Sequence, residues 1–255
     1  MKRYGGQLIH SCKDEFGPIE IVEYFNRMRS LHFGNKTQQT AMFLYDPIIL
    51  IHKYTQAMLT PLSWQTPDNV LILGLGAGSI AKFLLHHYRH LELTAIDLRP
   101  AVVKLGQEYF SLNEEGDRFK IHYQSADDFI TKTANPGHKY DLILIDLFLT
   151  RKDQDINVDI GSFVNQLPEL LKPHGHVCIN LIGNEPWLYP AIESIRNAFD
   201  NYLYMTPVDN SNTILLAGNT TPPPLLNMDN DIDLTSLEKK LNLPFRHYLS
   251  NMKKA

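Results

Sequence analysis

The segment from Val70 to Asp97 constrains this chain more than any other. A short apolar run, Val70-Leu71-Ile72-Leu73, leads into Gly74-Leu75-Gly76-Ala77-Gly78. A helix-compatible stretch from Ser79 to His87 follows, and Leu91-Glu92-Leu93-Thr94-Ala95-Ile96 then ends on Asp97. Strand, glycine loop, helix, strand and acid, in that order, make the opening unit of a nucleotide-binding α/β domain. Glycines let the backbone turn tightly and let a ligand approach it without meeting a Cβ. A carboxylate about 20 residues past the loop, at the end of the second strand, can accept both hydroxyls of a ribose.

Glycine spacing narrows the ligand. A dinucleotide loop reads G-x-G-x-x-G, and its third glycine permits close helix–strand packing under a pyrophosphate. Here the glycines stand at 74, 76 and 78, and residue 79 is Ser. This G-x-G-x-G pattern points to a nucleoside without a diphosphate, as in S-adenosylmethionine-type sites, ahead of NAD.

Strand and helix patterns alternate on either side of this unit. Residues 7–10, 19–24 and 29–34 read as short strands with turn chemistry at Asp14-Glu15-Phe16-Gly17-Pro18, so a small antiparallel sheet of β-hairpins precedes the nucleotide unit. Ile48, Ile51, Tyr54, Thr55 and Met58 recur at helical spacing, which predicts a helix over 46–60. Past Asp97, Pro100 fits the first turn of a helix to Phe110. Residues 120–123, 140–146 and 176–182 are further strands, with helices near 126, 160–171 and 186–199 and final strands at 202–205 and 213–217. The run Tyr140–Asp146 is almost continuously apolar, as a strand buried on both faces should be. The expected fold is therefore α/β, a doubly wound Rossmann-like sheet behind an N-terminal β-hairpin domain. The expected division is 1–60 for the hairpins and connecting helix, 61–220 for the nucleoside-binding domain, and 221–255 for a tail. In that tail Thr235-Ser236-Leu237-Glu238 resembles a capping box, and Asp229–Asp233 reads as a solvated turn.

Composition excludes several classes. A net charge of −4 and a pI near 6.2 offer no surface for a polyanion, so no nucleic-acid partner is expected. No apolar run approaches the roughly 18 residues of a membrane span, and the N-terminus lacks a signal-peptide core. Cys12 and Cys178 are far apart and read as free thiols of a cytoplasmic protein. The eleven histidines show no metal-ligand spacing, so no metal is expected.

In an open α/β sheet, ligands bind outside the carboxyl ends of the strands. Asp97, Asp127 and Asp146 follow or end the second, third and fourth strands, and Gly74, Gly76 and Gly78 follow the first. Four consecutive strands thus deliver ligand-competent groups to one rim. Asp97 is expected to hold a ribose, Asp127 to accept from an adenine amino group, and Asp146 to face the reacting centre. Asp128 is read as a helix cap.

These same residues carry a resemblance. Leu73-Gly74-Leu75-Gly76-Ala77-Gly78-Ser79, Ile96-Asp97-Leu98-Arg99-Pro100-Ala101-Val102, Asp141–Asp146, and Thr37-Gln38-Gln39-Thr40 in the hairpin region resemble the spermidine synthase family of aminopropyltransferases over residues 4–218. The resemblance implies a Rossmann-like domain of the class I methyltransferase type, decarboxylated S-adenosylmethionine or S-adenosylmethionine as co-substrate, a small-molecule amine acceptor and a homodimer. It places Asp97 as the ribose acid, Asp127 as the adenine acid, Asp146 as the acid that helps deprotonate the attacking amine, and Gln38 or Gln39 against the nucleoside. The family's gate loop, Asp-Ser-Ser/Thr-Asp-Pro, here reads Asp146-Leu147-Phe148-Leu149-Thr150. Leu149 replaces the acid that binds the polyamine's amine, and an unpaired buried ammonium costs several kcal/mol. Putrescine should therefore bind poorly unless Asp153 or Asp155 substitutes. Arg99, beside the ribose acid, is a second departure. Aminopropyl transfer is the leading reading; methyl transfer from S-adenosylmethionine and a nucleoside-binding homologue without polyamine synthesis are the alternatives.

Overall fold

The computed structural model describes residues 1–113, 116–133, 137–151, 154–157, 159–183, 188–199, 201–209, 211–218 and 234–255, without the side chains of 133, 149–151 and 154–157. Asp153, the prolines at 222–224 and the acidic stretch 229–233 lie outside the described residues, as do the side chains of Leu149 and Asp155.

Five strands open the chain: β1 (Lys2–Arg3), β2 (Gly6–Asp14), β3 (Gly17–Tyr24), β4 (Met28–His32) and β5 (Thr40–Phe43). They pair antiparallel in sequence order. The β2–β3 turn closes where Asp14 accepts the Phe16 N–H at 2.9 Å and Gly17 takes φ +122°. The helix expected over 46–60 is shorter: α1 covers only Lys53–Met58. Asp46 accepts from the Ile48 N–H at 3.3 Å, and this turn ahead of Pro47 competes with helix for the residues before His52.

The second sheet begins with β6 (Asn69–Leu73), then α2 (Ser79–His87), β7 (Glu92–Asp97), α3 (Pro100–Tyr109), β8 (Phe119–Tyr123), the one-turn α4 (Ala126–Asp128) and β9 (Tyr140–Ile145). A short hairpin, β10 (Phe148–Arg151) with β11 (Gln154–Asn157), follows. The helix expected over 160–171 is reduced to α5 (Leu167–Leu170), because β12 already starts there, running Leu171–Ile182 with a register shift between Leu171 and His176. Then come α6 (Tyr189–Ala198), β13 (Tyr202–Pro207), β14 (Asn212–Gly218), α7 (Leu234–Leu241), α8 (Phe245–Asn251) and β15 (Lys253–Lys254). Thr235 lies inside α7 instead of capping it; with Glu238 it holds the Arg246 guanidinium.

The strand order is β15-β13-β14-β12-β9-β6-β7-β8. Strands β8, β7, β6, β9 and β12 are parallel; β14 slots in antiparallel between β12 and β13. This is the doubly wound sheet of the class I methyltransferase type. Alternation divides the apolar runs between two faces. Val70, Ile72, Leu142 and Leu144 pack on one layer, and Leu71, Leu73, Ile143 and Ile145 on the other. The chain goes from β6 outward to β8 and returns to β9, so the switch point lies between β6 and β9, where such sheets bind ligands.

A third apolar layer joins the two sheets: Ile19, Ile21, Leu31 and Met42 meet Ala77, Val102, Leu105 and Phe110. Beside it Lys82 of α2 is 6% exposed, donating to the Phe110 carbonyl and approaching Met42 Sδ at 3.4 Å. Desolvation pushes this ammonium down from 10.5 to about 8, which corresponds to about 3 kcal/mol against folding with the charge in place. Between those two values the unfolded chain keeps a proton that the folded protein has released, so stability rises with pH across that window. Lys82→Met leaves the Phe110 carbonyl without its donor, about 1 kcal/mol. The variant is expected to be more stable than the parent by about 1–2 kcal/mol at pH 7, and to lack the rise. Urea unfolding at pH 7 and pH 10 checks this; a variant weaker than the parent at pH 7 would show that the ammonium stabilises the layer.

Candidate active site

A cavity of about 230 Å³ opens at the carboxyl ends of β6, β7, β8 and β9 and is covered in part by the N-terminal sheet. Gly74, Gly76, Asp97, Asp127, Asp146 and Gln39 line it. Gln38 and Gly78 are not among its lining residues. Of the two glutamines, then, Gln39 is the one at the cavity, its N–H bound to the Leu31 carbonyl at 2.8 Å.

The glycine loop is built for close approach. Gly74 has φ +94°, and a Cβ there would stand 2.2 Å from the Asp146 carbonyl oxygen. Asp146 N–H donates to Leu73 O at 2.9 Å, so the ends of β6 and β9 are drawn together and the Asp146 side chain is carried up to the loop. Gly76 has φ +57° with open space around a Cβ. Gly78, at φ +83°, precedes α2, and a Cβ there would fall 2.5 Å from Leu112; its work is packing beneath the loop.

Asp97 ends β7 and braces that loop. Its Oδ2 accepts the Gly76 N–H at 2.7 Å and its Oδ1 the Arg99 N–H at 2.8 Å. Burial raises its pKa, against the pull of these amides. Arg99 turns away from the role of a free cation. Its guanidinium meets Asp14 of the β2–β3 turn at 2.8 and 2.9 Å and lies 4.1 Å from the Phe33 ring centroid. The N-terminal sheet is thereby clasped to the residue pair beside Asp97.

Asp127 follows β8 at the start of α4. The cap of that turn is Ser125, whose hydroxyl accepts the Asp128 N–H at 3.0 Å; Asp128 pairs with Lys132 on the surface and is not the cap. Asp146, just beyond β9, is partly exposed, and to the cavity. Desolvation pushes its carboxyl up to about 6, opposed by hydrogen bonds from Asn180 and Tyr54. Asn180 Nδ2 donates to Asp146 Oδ1 at 2.9 Å, and Asn180 Oδ1 accepts from Asn212 Nδ2 at 2.9 Å.

Sequence reasoning did not single out Tyr54, Asn180, Asn212 or Asp159. Asp159 lines the cavity and accepts the Gly161 N–H at 2.9 Å. A signal for Asn180 existed: it is a polar residue inside the apolar run 176–182, and a buried amide requires partners.

The chain is similar to known proteins over most of its length. The spermine/spermidine synthase domain matches residues 50–207. A polyamine aminopropyltransferase of Chromobacterium violaceum is 30% identical over 206 residues, 80% of this chain and 77% of that protein. An eEF1A lysine and N-terminal methyltransferase of Bos taurus is 26% identical over 57% of this chain and 22% of its own. A probable spermidine synthase from Corynebacterium glutamicum superposes with a TM-score of 0.72 at 17% identity, covering 91% of this chain and 86% of the other. With the rim acids, the glycine loop and the inserted antiparallel strand in place, the chain belongs to the spermine/spermidine synthase family.

Proposed function

We propose that this protein transfers an aminopropyl group from decarboxylated S-adenosylmethionine to an amine. The carrying observation is the charge of the cavity. Four carboxylates line it, Asp97, Asp127, Asp146 and Asp159, and among the described lining residues the one strongly basic side chain, Arg99, is already paired with Asp14. A decarboxylated ligand brings a sulfonium and an ammonium, and an acidic cavity suits both. S-adenosylmethionine adds a carboxylate, for which these walls offer no free side-chain cation among the described residues.

In this reading Asp97 accepts the ribose hydroxyls, Asp127 the adenine amino group, and the Gly74–Gly76 backbone lies against the nucleoside. The amine's lone pair attacks the methylene carbon next to sulfur. A C–N bond forms while the C–S bond breaks, its electron pair leaving on sulfur as neutral methylthioadenosine. The proton from nitrogen passes to Asp146, whose raised pKa suits a base working near neutrality. Alignment in the cavity supplies several kcal/mol more. Asp159 is the described acid placed to take over from the carboxylate that Leu149 lacks. Methyl transfer is the second reading, favoured by the resemblance to the Bos taurus methyltransferase; it would need the carboxylate to be held by backbone amides.

Calorimetric titration with decarboxylated S-adenosylmethionine, methylthioadenosine and S-adenosylmethionine separates the two. The decarboxylated ligand is expected to bind at least tenfold tighter than S-adenosylmethionine, about 1.4 kcal/mol. Asp97→Ala is expected to weaken all three by about 100-fold, in line with loss of charge-assisted hydrogen bonds. Tighter binding of S-adenosylmethionine would move the assignment to methyl transfer.

A further inference from the structure

The relay behind Asp146 reaches out of the cavity wall and across the sheet. Asn180 lies on β12 and is 3% exposed; Asn212 begins β14, the antiparallel neighbour. The backbone of Asn212 is anchored, since Asp209 Oδ1 accepts its main-chain N–H at 2.8 Å and that of Ser211 at 2.8 Å. In the structure Asn212 Nδ2 donates to Asn180 Oδ1, and Asn180 Nδ2 donates to Asp146 Oδ1. A side-chain amide has one donating and one accepting end. Asn212 occupies the accepting end of Asn180, so only the donating end is left for Asp146.

The two protonation states of Asp146 need opposite things from that neighbour. A carboxylate wants a donor; a carboxylic acid has an O–H of its own and wants an acceptor. We propose that Asn212 is a positioning residue that, by holding the Asn180 amide in its donor orientation, keeps Asp146 in the ionised form that receives the amine's proton. This rests on the reading of Asp146 as the acid at the reacting centre. The titratable and charged groups that share its cavity are Tyr54 and His52 from the α1 side, Arg99, and Asp97, Asp127 and Asp159. Desolvation favours protonation of Asp146, so a device that opposes it has a purpose. Burial lowers the pKa of His52, although the Asp209 carboxylate acts on it in the opposite sense.

In Asn212→Leu the accepting end of Asn180 is freed, the amide can turn over, and a protonated Asp146 gains an acceptor. A single hydrogen bond so gained corresponds to about one pH unit. The direct measurement is a ¹³C NMR titration of the Asp146 carboxyl in the full-length protein without ligand. The midpoint is expected to rise by half a unit to one unit in Asn212→Leu and to return toward the parent value in Asn212→Gln, which keeps an amide donor. The acid limb of the kcat/KM profile should move with it, while methylthioadenosine affinity stays within twofold. Asn212→Ala makes the same test should leucine prevent folding. An unchanged midpoint in a folded Asn212→Leu or Asn212→Ala protein would overturn the proposal, as would a midpoint in Asn212→Gln that matches Asn212→Leu. Because the titration needs no turnover, its outcome stands apart from whether the transferred group is aminopropyl or methyl.

Discussion

Asp146→Asn is expected to lower the rate of group transfer by about 100- to 10,000-fold, the range for loss of a positioned general base. The same substitution is expected to make the protein more stable. The Asp146 carboxyl is held at about 6 in the folded protein against 3.8 ordinarily, so between those values the folded state binds the extra proton and stability falls as pH rises. Above pH 6 the full penalty of about 2–3 kcal/mol is present, and a neutral amide of equal size escapes it. Methylthioadenosine affinity should stay within a few-fold if, as proposed, Asp146 faces the reacting end of the ligand. The parent kcat/KM should climb with pH through about 6 as the base ionises, and the variant should lack that limb. Steady-state kinetics, urea unfolding at pH 7 and calorimetry make the three readings. A variant that keeps most of its rate would remove Asp146 from proton transfer; one that is less stable at pH 7 would mean that the ionised carboxylate holds the rim together.

Gly74→Ala is the substitution that the loop should tolerate least. Two independent penalties meet at this residue. The φ of +94° strains any side chain, at about 1–3 kcal/mol. The Cβ would also overlap the Asp146 carbonyl oxygen at 2.2 Å, and this neighbour is backbone, unable to swing aside. Relief requires the ends of β6 and β9 to part, which breaks the Asp146 N–H to Leu73 O bond and shifts Asp146 itself. The expected loss exceeds about 3 kcal/mol, a fall in Tm of roughly 10 °C for a domain of this size, with nucleoside binding abolished. Gly76→Ala is the control: its φ is also positive, but open space surrounds the added carbon, so about 1–2 kcal/mol is expected. Thermal unfolding of the pair with methylthioadenosine titration decides the matter. Equal behaviour of the two variants would show that strain alone, and not the contact between β6 and β9, is what the loop glycines relieve.

Local chemistry explains which elements could be read in advance. Ser79–His87 matched its helix because glycines delimit one end and apolar periodicity runs to the other. The β7 strand and Asp97 matched because turn chemistry and alternation agree there. The helix over 46–60 came out short, at Lys53–Met58, because periodicity from Ile48 to Met58 says nothing of the turn that Asp46 closes on Ile48. Likewise Glu238 has the spacing of a capping box but is captured by Arg246, a partner that only the tertiary fold supplies. In the site, the rim residues were legible because each follows its own strand at a fixed place. Tyr54, Asn180, Asn212 and Asp159 were not, since their positions around Asp146 depend on α1 and β14 folding back across a long interval of chain. The direction of Arg99 was open for the same reason: Asp14, its partner, is 85 residues away.

That clasp ties the histories of the two sheets together. Loss of Asp14 would leave a guanidinium with no counter-charge at the lip of an acid-lined cavity, repelling cations and inviting anions. Loss of Arg99 would leave the Asp14 carboxylate in the hairpin turn without its guanidinium. Neither half of the pair can drift alone without altering which molecules the cavity attracts. The hairpin sheet is therefore a charge-balancing part of the cavity wall, and relatives that differ at residue 14 should differ at residue 99 in step.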